Sequence, residues 1–537
     1  MVRHLAPGRA AGATRQPGRR SAMAALAALA LAASLAACSS GGSGSSSGSG
    51  SSAAAGGSGT TLKAGIVNPP DSLDPSVGQG GNDYLELYPM FDRLFNFDPQ
   101  TGALQPGLAL SGTYTDAGKL AYQITLRQGV KFSDGTPVNA AAVKASFAHY
   151  IASGIYADLS STYVKSFTVN STYVLTINLA QQYSALPYIL ADRAGMIVSP
   201  AALAKYGKNF AIHPVGAGPY KFTSQVSGSS ITLVRNSAYW DPKAVHLAGI
   251  TFTIYQSQQA MESAERAGQI DFAEGVAATD VPGLKQDSSL VTQILPSLAY
   301  DELVFNPKVA GPLSNVKIRQ AINYAINRTA VNQVLQGGLG KPMWEIMPPG
   351  NPYYNTAISP TYPYSAAKAR QLVASSGYKG AISFNCLLPT PTPWQAYAPL
   401  IQSELAAVGI KMNLVSEGVV QALTDYNVHQ KDPCFFIGFS GRPDPWETFE
   451  QNFASYGIYN GGRYNFGIDG LLSQANKIYA PTARKQIFDQ MASVIQQTAP
   501  FVPLVTTPLI DTYTKRVKDF VPNFQGKDNL STISLGS

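Results

Sequence analysis

Cys434-Phe435-Phe436-Ile437-Gly438-Phe439-Ser440-Gly441-Arg442-Pro443-Asp444-Pro445-Trp446 reads as a buried strand that runs into a turn. The first six residues are apolar and aromatic, a short run suited to a strand covered on both faces. Pro443 and Pro445 have no amide hydrogen, so a central strand cannot continue through them. Charged and aromatic groups thus follow the carboxyl end of a buried strand, where open α/β sheets gather their ligands. The same residues also describe a surface turn with a solvated Arg–Asp pair. The rest of the chain decides between these readings.

Working outward, 537 residues exceed what one core organises, so two or more lobes are expected. Apolar content of 45% and charged content of 13% describe a globular chain. The formal charge of +7 misleads, because Arg3, Arg9, Arg15, Arg19 and Arg20 all precede Cys38 and no acid does. Without those five, 34 basic residues face 32 acidic ones. No Lys/Arg cluster sits beside an aromatic platform, and nothing indicates nucleic-acid binding. No His-x-x-x-His, Cys-x-x-Cys or P-loop pattern occurs, and G-x-S-x-G appears only as Gly44-Ser45-Ser46-Ser47-Gly48 in the Ser/Gly-rich stretch and nowhere beyond residue 60, so neither a metal site nor an enzyme nor a cofactor is expected.

Residues 1–37 read as a signal peptide: a basic region ending at Arg19-Arg20, then an uncharged, alanine-rich run too short to span a membrane. It ends in Leu35-Ala36-Ala37-Cys38, which resembles the lipobox of bacterial lipoproteins. That resemblance implies lipidation at Cys38 and anchoring at the outer face of the cell membrane. The Ser/Gly/Ala-rich remainder of residues 38–59 is a flexible leash reaching roughly 25 Å. Cys386 and Cys434 each lie in an apolar run and read as small buried hydrophobes, although an oxidising compartment would let them pair.

Beyond residue 60 strands and helices alternate, the signature of α/β lobes. Residues 84–95 carry Leu85, Tyr88, Phe91 and Leu94 at helical spacing, with Asn82 or Asp83 as cap. Asp134-Gly135 is a turn, and Asn139 caps a helix through Val143 and Phe147. Residues 315–337 read as one long helix and residues 394–408 as another, with strands at 382–388 and 410–415.

Several of these segments together resemble family 5 extracellular solute-binding proteins of bacterial ABC importers, the oligopeptide, dipeptide and nickel group. The most specific is Leu126-Arg127-Gln128-Gly129-Val130-Lys131-Phe132-Ser133-Asp134-Gly135-Thr136-Pro137-Val138. Leu73-Asp74-Pro75 and Phe91-Asp92-Arg93-Leu94 precede it; Pro214 to Phe222, Arg235-Asn236, Tyr239-Trp240 and residues 267–271 follow. Ile318-Arg319-Gln320-Ala321-Ile322, Asn327-Arg328 and residues 438–445 complete the order. The resemblance implies a bilobal, class II periplasmic-binding-protein-like α/β fold with two crossover strands at the hinge. Carried onto this chain, lobe one takes residues 60–100, 212–297 and 506–537, its extra subdomain residues 101–211, and lobe two residues 298–505.

The implied function is capture of a peptide-like solute between the lobes by hinge closure, and its delivery to permease subunits in the membrane, by a monomer. A non-transport surface sensor or adhesin on the same fold is the alternative from another class. From lobe one the expected ligand contacts are Gln79, Gly80, Gly81 and Asn82, since a glycine-rich loop lets backbone approach a ligand. From lobe two they are Phe439, Ser440, Gly441, Arg442, Asp444 and Trp446, then Trp394 as a stacking platform, with Tyr459, Asn460 and Trp344 weaker candidates. Peptide-binding members carry an aspartate for the peptide's α-ammonium where this chain has Arg442. A guanidinium repels an ammonium and forks onto a carboxylate or hydroxyls instead, so acidic or N-blocked peptides, sugars, opines and metal chelates enter the list of solutes. Asp444, two residues on, is the other candidate anchor.

Overall fold

The computed structural model describes residues 60–536 apart from Gln79, Pro296, Pro391 and Phe524. The signal segment, Cys38 and the leash lie outside the described residues.

The strand at the centre runs Cys434–Phe439, as its composition predicts. It pairs antiparallel with Tyr300–Phe305, Tyr300 opposite Phe439 and Phe305 opposite Cys434. It also pairs parallel with Ile382–Thr390, which in turn runs parallel to Ile410–Gly418. Phe501–Thr506 closes this five-stranded sheet. Alternate side chains point to opposite faces: Cys434 and Phe436 enter one core, Phe435 and Phe439 another. Burial on both faces explains why the run is continuously apolar rather than alternating.

A seven-stranded mixed sheet forms the other lobe, with Thr61–Ile66 parallel to both Gly249–Ile254 and Phe272–Ala273. A four-stranded antiparallel sheet, in the order Ala109–Tyr114, Ala121–Leu126, Val174–Leu179, Val164–Ser171, stands apart from it. The chain leaves the seven-stranded sheet after Leu290–Leu295 and enters the five-stranded one at Tyr300; it returns between Phe501–Thr506 and Leu509–Thr514. The two crossings are stitched together where the Thr507 amide donates to the Ala299 carbonyl at 2.9 Å.

Four sequence expectations change. Cys386 and Cys434 are disulfide-bonded, not free thiols, because adjacent strands bring their Cα atoms to 4.4 Å. The helix expected over residues 315–337 is two, Val316–Ala325 and Arg328–Gln336. Ile326 is extended, and the Asn327 side chain accepts from the Thr329 and Ala330 amides, opening a new helix by an ordinary N-cap. Buried Arg328 then fixes the join, donating to the Pro503 and Asn323 carbonyls. Residues 394–408 likewise divide into a 3-10 turn, Pro393–Ala396, and a helix, Ala398–Ala406. The helix expected over residues 84–95 ends at Met90, whose carbonyl is taken by the Gly218 amide. The Asn139 cap forms as expected, accepting from the Ala142 amide at 2.9 Å.

Buried carboxyls lie on the first crossing strand, at Asp301 and Glu302, and beside the seven-stranded sheet, at Glu274. Burial pushes Asp301 up to about 6 and Glu302 up to about 8, and Glu274 also to about 8. Unfolded, such groups titrate near 4. The folded chain therefore binds more protons between about pH 4 and 8, and the stability they confer is full below pH ~4 and lost as pH rises through 6 to 8. The melting temperature is expected to fall from pH 5 to pH 8; a rise across that window would contradict these assignments.

Candidate functional site

The Cys434–Phe439 strand ends at a turn that meets a glycine-rich loop of the other lobe. A Cβ on Gly81 would sit 3.1 Å from the Ser440 Cβ, so the loop and the turn approach closely there. Gly441 adopts φ 73°, and a Cβ on it would lie 2.2 Å from that of Leu298 at the crossing. At Gly441 glycine is required by both its φ and this close approach. Gly441→Ala is expected to destabilise the protein by at least about 1–3 kcal/mol, read by chemical denaturation; a neutral substitution would contradict the close approach.

Between loop and turn lies a cavity, of which the centre of a water molecule reaches about 20 Å³, room for one or two waters. Gly80, Tyr84 and Arg193 line it from one lobe, Tyr150, Tyr156 and Asp158 from the segment around the four-stranded sheet, and Ser440, Arg442, Glu447 and Gln451 from the other lobe. The glycine loop is held from behind. Arg193 Nη2 donates to the Gly80 carbonyl at 2.6 Å and to Asp83 at 2.9 Å, and the Tyr156 hydroxyl donates to the Gly78 carbonyl at 2.7 Å. Asp192, next to Arg193, pairs with buried Lys527 at 2.8 Å. Burial alone would raise the Asp192 carboxyl, but the Lys527 ammonium holds it at about 2.

Arg442 is half-buried, stacked 5.0 Å above the Phe439 ring. Its Nη1 donates to Ser440 Oγ at 3.0 Å and to the Gly441 carbonyl at 2.8 Å. It makes no ion pair among the described residues, and it lines the cavity together with the carboxyls of Asp158 and Glu447. Burial pushes the neighbouring Asp158 up to about 6, Glu450 to about 8, and Glu447 well above the carboxylate range.

The other residues expected at the site take different places. Gln79 lies outside the described residues. Asn82 turns back to donate to the Pro69 carbonyl at 2.9 Å. Asp444 caps the helix Pro445–Phe453 through the Trp446 amide, and both its oxygens receive Arg484, at 2.7 and 2.9 Å. Trp446 is buried between Tyr163 and Tyr183, its indole N–H on the Leu472 carbonyl. Trp394 donates to Asp301 at 2.7 Å, at the crossing. Tyr459 packs edge-on against Phe439, and Asn460 ties its own loop through the Ala454 and Tyr464 carbonyls. The Trp344 carbonyl accepts from Gln496.

Arg193, Asp158, Glu447 and Gln451 escaped the sequence reading. Arg193 had a signal: Asp192-Arg193 is the only charged pair in the apolar stretch of residues 185–200. Glu447 and Gln451 had a weaker one, four residues apart on the helix after the turn.

Two α/β lobes joined by two crossings, with a cavity lined from both, define a bilobal solute-binding protein. The family model for bacterial extracellular solute-binding proteins, family 5 (middle), matches residues 103–460. The glutathione-binding protein GsiB of Escherichia coli O1:K1 is 29% identical over 476 residues, covering 84% of this chain and 89% of that one. Among solved structures, AgaA of A. tumefaciens R10 in complex with agropinic acid has a TM-score of 0.80 at 25% identity, covering 89% of this chain and 99% of that one. DppA of Helicobacter pylori in complex with the peptide STSA has a TM-score of 0.79 at 23% identity, covering 89% and 98%. The chain belongs to family 5 of the bacterial extracellular solute-binding proteins. It is a substrate-binding protein of the ABC-importer type, from a family that works outside the cytoplasm. No helix among the described residues is long and apolar enough to cross a membrane.

Proposed function

We propose that this protein captures a peptide-like solute with an anionic group in the cavity between the lobes, and hands it to the permease of its importer. The observation that carries this reading is Arg442, an unpaired guanidinium at the end of the central strand, facing Arg193 territory across a cavity lined by both lobes. Hinge motion at the two crossings would admit the solute, and closure would complete contacts from both sides. Of the residues expected from sequence, Gly80, Gly81, Ser440, Gly441 and Arg442, with Phe439 beneath, form the contact set; Asp444, Trp446, Trp394 and Asn460 support it. The protein acts as a monomer, tethered through a lipid on Cys38 by the leash of residues 38–59.

A non-peptide solute is the second reading. Its support is the same arginine together with the likeness to AgaA, a protein solved with agropinic acid. GsiB makes glutathione the first solute to try.

A screen by thermal unfolding tests capture. Glutathione, di- and tripeptides, agropinic acid and a nickel–histidine chelate are each added, and a bound solute at a hundredfold excess over its Kd is expected to stabilise by about 2.7 kcal/mol. No shift from any of them would count against a solute-capturing role and in favour of the sensor alternative.

A further inference from the structure

Trp446, a ligand contact by the sequence reading, does not line the cavity; it meets the segment around the four-stranded sheet instead. Tyr163 and Tyr183 flank the strands Val164–Ser171 and Val174–Leu179 and stack with their ring centres 4.5 Å apart. Trp446, on the first turn of the helix Pro445–Phe453, meets both rings edge-on, at 5.2 and 5.3 Å. Tyr163, Tyr183 and Trp446 are 3%, 0% and 1% exposed, so the contact is dry. Polar bonds continue it. The Ser184 amide donates to the Asn476 carbonyl at 3.1 Å, and the Ser184 hydroxyl donates to the Ala475 carbonyl at 3.0 Å. Tyr114 packs edge-on against Tyr479 at 5.0 Å.

The order of these residues along the chain gives the patch its meaning. Tyr114, Tyr163, Tyr183 and Ser184 precede the first crossing at Tyr300–Phe305. Trp446, Ala475, Asn476 and Tyr479 lie between it and the second at Phe501–Thr506. Parting the lobes at the crossings therefore has to undo every one of these contacts. The indole N–H stays on the Leu472 carbonyl of its own side, so the ring is already aimed when the lobes meet. An edge-to-face ring contact biases an equilibrium by about two- to tenfold, and none of the contacts in this patch needs a solute to form. The helix that carries Trp446 also carries Glu447 and Gln451, and Arg442 stands on the turn before it; all three line the cavity.

We propose that Trp446 is a positioning residue for capture: with Tyr163 and Tyr183 it forms a latch that makes the closed arrangement of the lobes the resting one. The segment around the four-stranded sheet supplies the other half of that latch. A solute then adds its contacts to a closure already favoured, and opening of the latch limits how fast it enters and leaves. The role assigned to the latch rests on the capture reading above; its test does not.

Small-angle X-ray scattering of the full chain, freed of retained solute by unfolding and refolding and with none added, tests the latch. The wild type is expected to scatter as the closed form, and Trp446→Ala to shift to a larger radius of gyration. Tyr163→Leu, across the contact, is expected to give the same shift, which loss of a residue serving only the core of its own lobe would not. Trp446→Phe keeps a ring and is expected to lie nearer the wild type. The indole reports separately. The emission lost in Trp446→Phe is expected to be blue, as from a dry site, and to move to the red when Tyr163→Leu is present. A wild type that scatters as an open form, or variants as compact as the wild type with the indole emission unmoved, would overturn the latch. Should Trp446→Ala fail to fold, Tyr163→Leu and Trp446→Phe decide. No solute enters these measurements, so their failure is distinct from silence in the thermal screen, which bears on capture alone.

Discussion

Arg442→Gln is expected to weaken solute binding by about 2–5 kcal/mol, the cost of removing one partner from a desolvated charge pair. Arg442→Asp is expected to do so at least as strongly, because it adds a carboxylate to a site that already holds Asp158 and Glu447. The reason lies in how Arg442 is held. Among the described residues its hydrogen bonds are to Ser440 and Gly441 in its own turn, so the guanidinium is aimed without a close ion pair. The neutral glutamine variant should keep the melting temperature near that of the parent, since the hydrogen bonds of this side chain among the described residues stay within its own turn. Calorimetry separates the outcomes. Unchanged affinity would make the arginine a bystander; lost affinity with lost folding would make it structural.

Asp444→Ala is expected to cost about 3–5 kcal/mol of stability, because it strands Arg484 as a buried charge without a partner. The pair is bidentate, and Arg484 and Asp444 are 3% and 1% exposed. Loss of the cap on Pro445–Phe453 adds about 1 kcal/mol. Arg484→Ala should cost a similar amount, and the double variant less than the sum of the two, because the second change removes the group the first one strands. Urea unfolding reads all three. A cost under about 1 kcal/mol for Asp444→Ala would mean that the pair is solvated rather than buried.

These two neighbours show what the sequence could and could not reveal. Arg442 and Asp444 are two residues apart, and both were plausible anchors for a ligand. Chemistry alone does not separate them, because the difference is a partner 40 residues away. The same holds for Cys434, whose run of apolar neighbours announced a strand but not that Cys386, 48 residues earlier, lies on the adjoining one. Where a feature is local, it was legible. The Cys434–Phe439 strand followed from six apolar residues and two prolines, and the Asn139 cap from its place before an apolar face. The break at Asn327 was local too, but residues with helical spacing continue on both sides of it and the capping signal was outvoted. The cavity was half legible. Gly80, Ser440 and Arg442 stand on a loop and a turn that composition marks. Arg193, Asp158, Glu447 and Gln451 reach it only because three segments converge; the charged pair Asp192-Arg193 and the four-residue spacing of Glu447 and Gln451 mark them only faintly, and nothing beside Asp158 does.

The chain brings the end of one strand against a glycine loop of another lobe, with the Arg442 guanidinium, which has no ion pair among the described residues, at the cavity between them. The most direct test is a crystal structure of the protein purified with the solute it retains. The account predicts that solute in the cavity lined by Gly80, Arg193 and Arg442, with an anionic group on the Arg442 guanidinium. A solute bound elsewhere, or bound there with Arg442 turned away to solvent, would contradict it.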